Sequence, residues 1–248
     1  MTVRVAVFAS GGGSNLQALL DHFHGRPAAV ARIALVVSDR ADARALERAH
    51  RANVPTRVIA VSGRPAADVE TETVALLEGD GIGLIALSGY LKLVPAAVTA
   101  RWAGRILNIH PALLPAFGGK GMFGIHVHRA VLAAGSLVTG PTVHLVTERY
   151  DEGKPLLQWP VPVLRGDTPE TLAARVLVVE HALYPAAVEM AARAVAAGMD
   201  LESMTQMLWG SRAWGFDADT GSFGWHEGSA GPGTELRRLI GLDEEERG

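Results

Sequence analysis

Asn108-Ile109-His110-Pro111 is the stretch of this chain that holds the most chemistry. Residues two apart on a strand share a face, so Asn108 and His110 point the same way if the stretch is extended. An asparagine amide is a neutral donor to a developing oxyanion, and a histidine carries a proton near neutral pH. The same residues also read as a strand end fixed by Pro111, with a hydrogen-bonded histidine. A second stretch, Gly11-Gly12-Gly13-Ser14-Asn15, follows an apolar run and opens a helical one. There the backbone N–H groups and the helix dipole favour an anion, and glycine lets a phosphate approach the backbone. A tight strand-to-helix turn is the plainer alternative. No Gly-Lys-Ser/Thr follows, so this is not a Walker A loop, and it lacks the third glycine of a dinucleotide fingerprint. The third stretch, Thr147 to Gly153, is an acidic turn in which Asp151 by itself reads as a solvated carboxylate. His144, in the strand before it, reads as a structural histidine. His126 and His128 have a spacing that can bind a metal when extended. No third ligand accompanies them and the chain has no cysteine, so loop hydrogen bonding or anion contacts are favoured.

The elements around these residues must position them. Strands are expected at Val3–Ala9, Arg32–Val37, Thr56–Ala60, Leu84–Leu87 and Ile106–Ile109. Helices are expected from Ser14 and over Ala41–Ala52, Asp68–Leu77 and Pro95–Trp102. Short, continuously apolar strands alternating with helices predict an α/β fold, a doubly wound, Rossmann-like and mostly parallel sheet covered on both faces. The glycines then leave the carboxyl end of the first strand, and Asn108 and His110 end the fifth, at the edge where such sheets bind ligands. After a glycine-rich loop over 111–125 comes a short helix from His128, then strands at Thr142–Val146 and Leu156–Val163. This C-terminal part adds antiparallel strands and a long helix. Thr168 caps that helix, Pro169 sits in its first turn, and it runs past Pro185 towards Gly198.

Composition narrows the function. Of 248 residues, 48% are hydrophobic and 20% charged, the balance of a globular protein with one large domain or two small ones. A net charge of −3 argues against a general nucleic-acid binder or a polybasic membrane binder. The absence of cysteine excludes disulfides, thiolate metal sites and a cysteine nucleophile, and fits a reducing compartment. With no targeting signal and no run of 18 uninterrupted apolar residues, a cytoplasmic protein without a membrane partner is expected. Residues 199–248 differ from the rest. They hold nine glycines, three of the five tryptophans, and ten acidic residues against four arginines. This reads as an acidic, loosely structured extension with Trp209, Trp214 and Trp225 as docking anchors.

Five stretches occur together and in order: ASGGGSNLQ at 9–17, LSGYLKLVP at 87–95, ILNIHPALLPAF at 106–117, GPTVHLVTERYDEG at 140–153 and EHALYP at 180–185. Over about residues 3–198 the sequence resembles the phosphoribosylglycinamide formyltransferases, also called glycinamide ribonucleotide transformylases, of the folate-dependent formyltransferase family. The resemblance implies formyl transfer from 10-formyltetrahydrofolate, a cosubstrate, to the amine of glycinamide ribonucleotide in purine synthesis. It implies direct amine attack, with no covalent enzyme intermediate and no metal. It assigns catalysis to Asn108, His110 and Asp151, with Asp151 raising the histidine pKa so that an imidazolium meets the formyl oxygen. Gly11, Gly12, Gly13, Ser14 and Asn15 then hold the substrate phosphate, and Glu180 contacts its ribose. Arg64, Leu91, Lys92, Leu93 and Val94 fall on the folate side, with Asn108, Thr147, Glu148, Arg149, Tyr150 and Asp151.

The implied organisation is a formyltransferase domain over 1–198, split into a phosphate-binding half (1–110) and a folate half (111–198), then the extension 199–248. The implied partners are the two small molecules, with neither nucleic acid nor membrane, and the implied assembly is a monomer or homodimer. The sequence departs from the family pattern at Lys154, where proline is common, at Leu145, where an aromatic is usual, and in a longer 118–124 loop. None of these touches the trio. Other 10-formyltetrahydrofolate enzymes are the alternatives within the class. Methionyl-tRNA formyltransferases share Asn-x-His-Pro but add a basic RNA-binding domain, where this chain has an acidic segment. Formyltetrahydrofolate hydrolases carry a regulatory domain before the glycine loop. A non-catalytic protein that binds phosphorylated metabolites would need only the glycine loop.

Overall fold

The computed structural model describes residues 2–26, 29–203, 215–217 and 222–224. Five parallel strands build the body of one sheet: β1 (Val3–Phe8), β2 (Ala31–Ser38), β3 (Thr56–Val58), β4 (Leu84–Leu87) and β5 (Ile106–His110). Then follow β6 (Val138–Thr139), β7 (Thr142–Leu145), β8 (Pro155–Gln158) and β9 (Val161–Pro162). β7 and β8 extend the sheet antiparallel, giving seven strands in the order β3-β2-β1-β4-β5-β7-β8. β6 and β9 form a separate ribbon, as do β10 (Gly215–Asp217) and β11 (Ser222–Gly224). The helices are α1 (Ser14–Phe23), α2 (Arg44–Arg51), α3 (Ala66–Gly79), α4 (Ala96–Arg101), α5 (Ile125–Ala133) and α6 (Pro169–Ala196). This is the α/β, Rossmann-like architecture that the strand-helix alternation predicts.

The strands are apolar on both sides because helices cover both faces. Alternation along β1 divides them. Val3, Val5 and Val7 join a core with α1, α2 and α6, whereas Ala6 and Phe8 join a second core with Val69, Leu77, Val98 and Trp102 beside α3 and α4. By length and composition α6 is apolar enough to cross a membrane. Here that composition serves burial. Leu183, Val188 and Ala191 pack into the main core, Leu172 and Val176 into a smaller cluster with Val127 and Val131 of α5, and each buried leucine or valine contributes about 1.5–3 kcal/mol relative to exposure. Tyr184 is fully buried and its hydroxyl donates to the Leu87 carbonyl at 2.8 Å, tying α6 to β4. Thr168 caps α6 as predicted. Its hydroxyl accepts from the Thr171 N–H, and the Thr171 hydroxyl accepts from the Thr168 N–H.

Several elements differ from expectation: α2 starts at Arg44 rather than Ala41, β3 ends at Val58 rather than Ala60, and β6 is additional. The strand expected over Leu156–Val163 is split at Trp159-Pro160 into β8 and β9, because proline has no N–H to give a ladder. α5 starts at Ile125 rather than His128. Past Gly198 the fold continues: Leu201 is buried in the main core and Glu202 pairs with Lys154 at 3.1 Å. Trp209, Trp214 and Trp225 lie outside the described residues.

Candidate active site

From β1 the chain moves one way across the sheet to β2 and β3, then returns to β4 on the other side of β1. The crevice at the carboxyl ends of β1 and β4 is therefore the topological switch point. A cavity of about 810 Å³ opens there. Gly11, Ser14 and Asn15 line it from the β1 side, and Leu91, Lys92, Leu93 and Val94 from the loop after β4. Asn108 and His110 reach it from β5, Thr147, Arg149, Tyr150 and Asp151 from the turn after β7, and Glu180 from α6.

Asn108 and His110 sit on one face of β5, and antiparallel pairing sets His144 of β7 opposite Asn108. The His110 Nε2–H donates to the Phe117 carbonyl at 2.9 Å, and Nδ1 faces Asp151 Oδ2 at 3.5 Å. The His144 Nδ1–H donates to the Leu145 carbonyl at 2.9 Å. That leaves its Nε2 to accept from Asn108 Nδ2–H at 3.1 Å, with Asp151 Oδ1 3.6 Å away. One amide hydrogen of Asn108 is thereby used, and an amide carries two. Asp151 reaches this cluster in the left-handed region, at φ 57°. Gly118 makes room for it: a Cβ at Gly118 would lie 2.6 Å from Leu114 Cδ2 and 3.1 Å from Asp151 Cβ. The next residue, Gly119, donates its N–H to Asp151 Oδ2 at 2.9 Å.

The electrostatics correct one expectation. Burial lowers the His110 pKa, and the Asp151 carboxylate and the Phe117 carbonyl, which both raise it, do not make up the difference. His110 is therefore neutral at pH 7 rather than a standing imidazolium. Burial works against the Asp151 charge too, but His144 and His110, where either ring is protonated, together with the Gly119 N–H, outweigh it and hold the carboxyl below its ordinary range. The pair is a neutral base beside a carboxylate, arranged to take up a proton and stabilise it.

At the other end of the cavity, buried Asn15 donates Nδ2–H to Glu180 Oε2 at 2.7 Å, while its Oδ1 is buried without a hydrogen-bond partner. Burial raises the Glu180 pKa, opposed by that Asn15 N–H. Gly13 has φ 70°, and a Cβ there would meet Ala45 Cα at 2.8 Å. It is thus needed for the packing of α2 on the loop, and neither it nor Gly12 is on the cavity wall. A Cβ on Gly11 or Gly12 would meet nothing within 4 Å.

Some expected residues are placed elsewhere. Arg64, beyond edge strand β3, pairs with Glu72 at 2.6 Å and is not brought to the cavity. Glu148 is exposed and off the cavity wall. His126 and His128 lie on α5 rather than on an extended segment, so residues two apart point to different sides. His126 packs edge-on against Phe123, whereas His128 is buried on the cavity wall. Burial, and then nearby His110, lower the His128 pKa. Among the described residues no group of three or more His, Asp or Glu is placed to hold a metal ion. His144 is the buried, hydrogen-bonded strand histidine that the sequence suggests, and what the sequence did not show is its place opposite Asn108 on the cavity wall. Sequence reasoning missed Tyr90, Lys120, Met122 and Phe123 on the cavity wall.

Comparison with known proteins gives the family. Residues 3–188 match the formyl transferase family model. The chain is 45% identical over 184 residues to the chloroplastic phosphoribosylglycinamide formyltransferase of Arabidopsis thaliana, covering 73% of this chain and 62% of that protein. It is 43% identical over 192 residues to the trifunctional purine biosynthetic protein adenosine-3 of Bos taurus, covering 76% of this chain and 18% of that one. It thus spans less than two thirds of the length of these two relatives. A crystal structure of phosphoribosylglycinamide formyltransferase from Brucella melitensis superposes with a TM-score of 0.71 at 44% identity, covering 77% of this chain and 96% of that one.

Proposed function

This chain belongs to the formyl transferase family, on its phosphoribosylglycinamide formyltransferase branch, and from that premise we propose that it transfers a formyl group from 10-formyltetrahydrofolate to the amine of glycinamide ribonucleotide. The observation that carries the reading is Asp151. A turn carboxylate some 40 residues from the Asn108–His110 pair is folded back between His110 and His144 at the cavity.

The reaction needs three things, and this cluster supplies groups for each. The amine nitrogen attacks the formyl carbon and the formyl oxygen gains negative charge. The second Asn108 N–H, held in place by His144, is the donor for that oxygen. As the C–N bond to the folate nitrogen breaks, the amine must lose a proton and that nitrogen must gain one. His110 takes the proton as a base and gives it back as an acid, with Asp151 stabilising the imidazolium in between. The products are tetrahydrofolate and the formamide, and no covalent enzyme intermediate is required. The phosphate of the acceptor lies at Gly11, Ser14 and Asn15, and its ribose at Glu180. The folate lies against Leu91, Lys92, Leu93, Val94, Thr147 and Tyr150.

On the same reading the enzyme works in the cytoplasm on these small molecules, as a monomer or homodimer. Its formyltransferase domain reaches at least Leu201, past the expected end at 198, since Leu201 belongs to the core. An absorbance assay of the full chain tests the assignment. Tetrahydrofolate should form only when glycinamide ribonucleotide is present. Folate turnover without an amine would make the protein a hydrolase, and no turnover with either would leave it a binding protein.

A further inference from the structure

We propose that Arg48 is a positioning residue for the phosphate end of the site: it fixes the Gly12–Gly13 peptide so that the loop amides are presented to a phosphate monoester. This rests on the reading above. Arg48, on α2, donates Nε–H to the Gly12 carbonyl at 2.8 Å and Nη1–H to Gln17 Oε1 at 3.0 Å, so it spans the loop and the start of α1. Three residues earlier on the same helix, the Ala45 N–H donates to the Gly11 carbonyl at 3.1 Å. In a trans peptide the C=O and the following N–H point to opposite sides. Anchoring the carbonyls of Gly11 and Gly12 to α2 therefore turns the N–H groups of Gly12 and Gly13 away from it; the two glycines are not themselves on the cavity wall, and their neighbours Gly11 and Ser14 are. Consecutive amides turned one way at a helix N-terminus form an anion-holding concavity.

A peptide between two glycines has no side chain to hold its orientation, so the guanidinium sets it. Among the described residues Arg48 is in no ion pair with a carboxylate, which leaves its charge for the anion. A separate sign of a ligand is Asn15. It is 9% exposed, lines the cavity, and keeps a buried Oδ1 without a partner, an acceptor that suits a hydroxyl or amine donor of the same ligand rather than its phosphate.

The test uses the full-length enzyme, Arg48→Ala and Arg48→Lys, with glycinamide ribonucleotide and its dephosphorylated riboside as acceptors. Arg48→Ala should raise KM for the ribonucleotide about 10- to 100-fold, the scale of a hydrogen bond from a charged group, and leave kcat and the folate KM within about twofold. Arg48→Lys keeps one donor and should recover part of the loss. The kcat/KM for the riboside should not change. Equal losses on riboside and ribonucleotide, or an unaltered ribonucleotide KM, would overturn the inference. Calorimetric titration with ribose 5-phosphate separates this from the reaction itself. If no formyl transfer is found but ribose 5-phosphate binding falls in Arg48→Ala, the inference stands and the reaction assignment falls. Binding indifferent to Arg48 overturns the inference alone.

Discussion

The two ends of the cavity are built in different ways. The end proposed for the phosphate is mostly backbone: a glycine loop whose carbonyls are held by α2, and the first turn of α1, with Asn15 and Glu180 joined behind it. The end proposed for formyl transfer offers side chains. Asn108 and His110 come from β5, His144 from β7 and Asp151 from a turn in the left-handed region, with the 118–119 glycines packed behind it. A backbone site takes its donors from one local run of residues, here held from outside by α2. A side-chain site depends on several distant segments meeting to within a fraction of an ångström, and so it is the more easily broken by one substitution.

The largest effect separating the two ends is His110→Ala. It should lower kcat on the order of 10²- to 10⁴-fold, the range for lost acid–base assistance, while both substrates still bind. Steady-state kinetics with a binding titration checks it, and a loss confined to KM would erase the distinction. Next comes the glycine loop. Gly13→Val forces a branched side chain into the left-handed region, at about 1–3 kcal/mol before its clash with Ala45 is counted, so thermal melting should show a destabilised protein. Gly12→Ala places its methyl in open space and should keep the melting temperature while raising KM for the ribonucleotide. If the two variants melt alike, α2 does not pack on Gly13 as described.

Acid stability sharpens the contrast further. The folded-state pKa values of His110, His128 and His181 lie below the ordinary histidine value, in each case first because of burial. Their stabilising contribution is complete above about pH 6.5 and is lost as the pH falls through the folded pKa values. Glu180 has the opposite sign: its raised pKa favours the fold most at low pH, and that contribution fades as the pH rises. Melting curves should therefore show the midpoint dropping on the order of several degrees between pH 7 and pH 5.5. His128→Gln should flatten that slope, and an unchanged slope would mean that His128 is not kept neutral by the fold. The smallest effect is expected from ending the chain after Ser203, which keeps Leu201 and the Lys154–Glu202 pair. Turnover should stay within about threefold, less than the loss of one hydrogen bond.

The difference between the two ends also governs what was legible in the sequence. The glycine loop's place at the carboxyl end of β1 could be read because it lies in consecutive residues after an apolar strand. The doubly wound, mostly parallel sheet followed from apolar runs alternating with helices, and the α6 cap from Thr168-Pro169. Asn108 and His110 were legible as a pair because a strand has period two. The place of His144 in the site was not. It comes from antiparallel pairing with β5, a long-range contact that leaves no local pattern. Asp151 was unremarkable by itself and gained meaning only through the family resemblance. The charge state of His110 was misjudged because nearness to Asp151 was visible in the resemblance and burial was not. His126 and His128 were misread because a helix and an extended strand give the same two-residue spacing different directions.

The claim at the centre of this account is that His110 and Asp151 act as one proton-handling unit in formyl transfer. A double-mutant cycle in single-turnover experiments tests it most directly, with wild type, His110→Ala, Asp151→Asn and the double variant mixed with saturating 10-formyltetrahydrofolate and glycinamide ribonucleotide. Each single variant should lose on the order of 10²- to 10⁴-fold in rate, and the double variant little more than the worse of the two. Losses that multiply, or an Asp151→Asn enzyme with near-wild-type turnover, would contradict the account and return Asp151 to the role of an ordinary carboxylate.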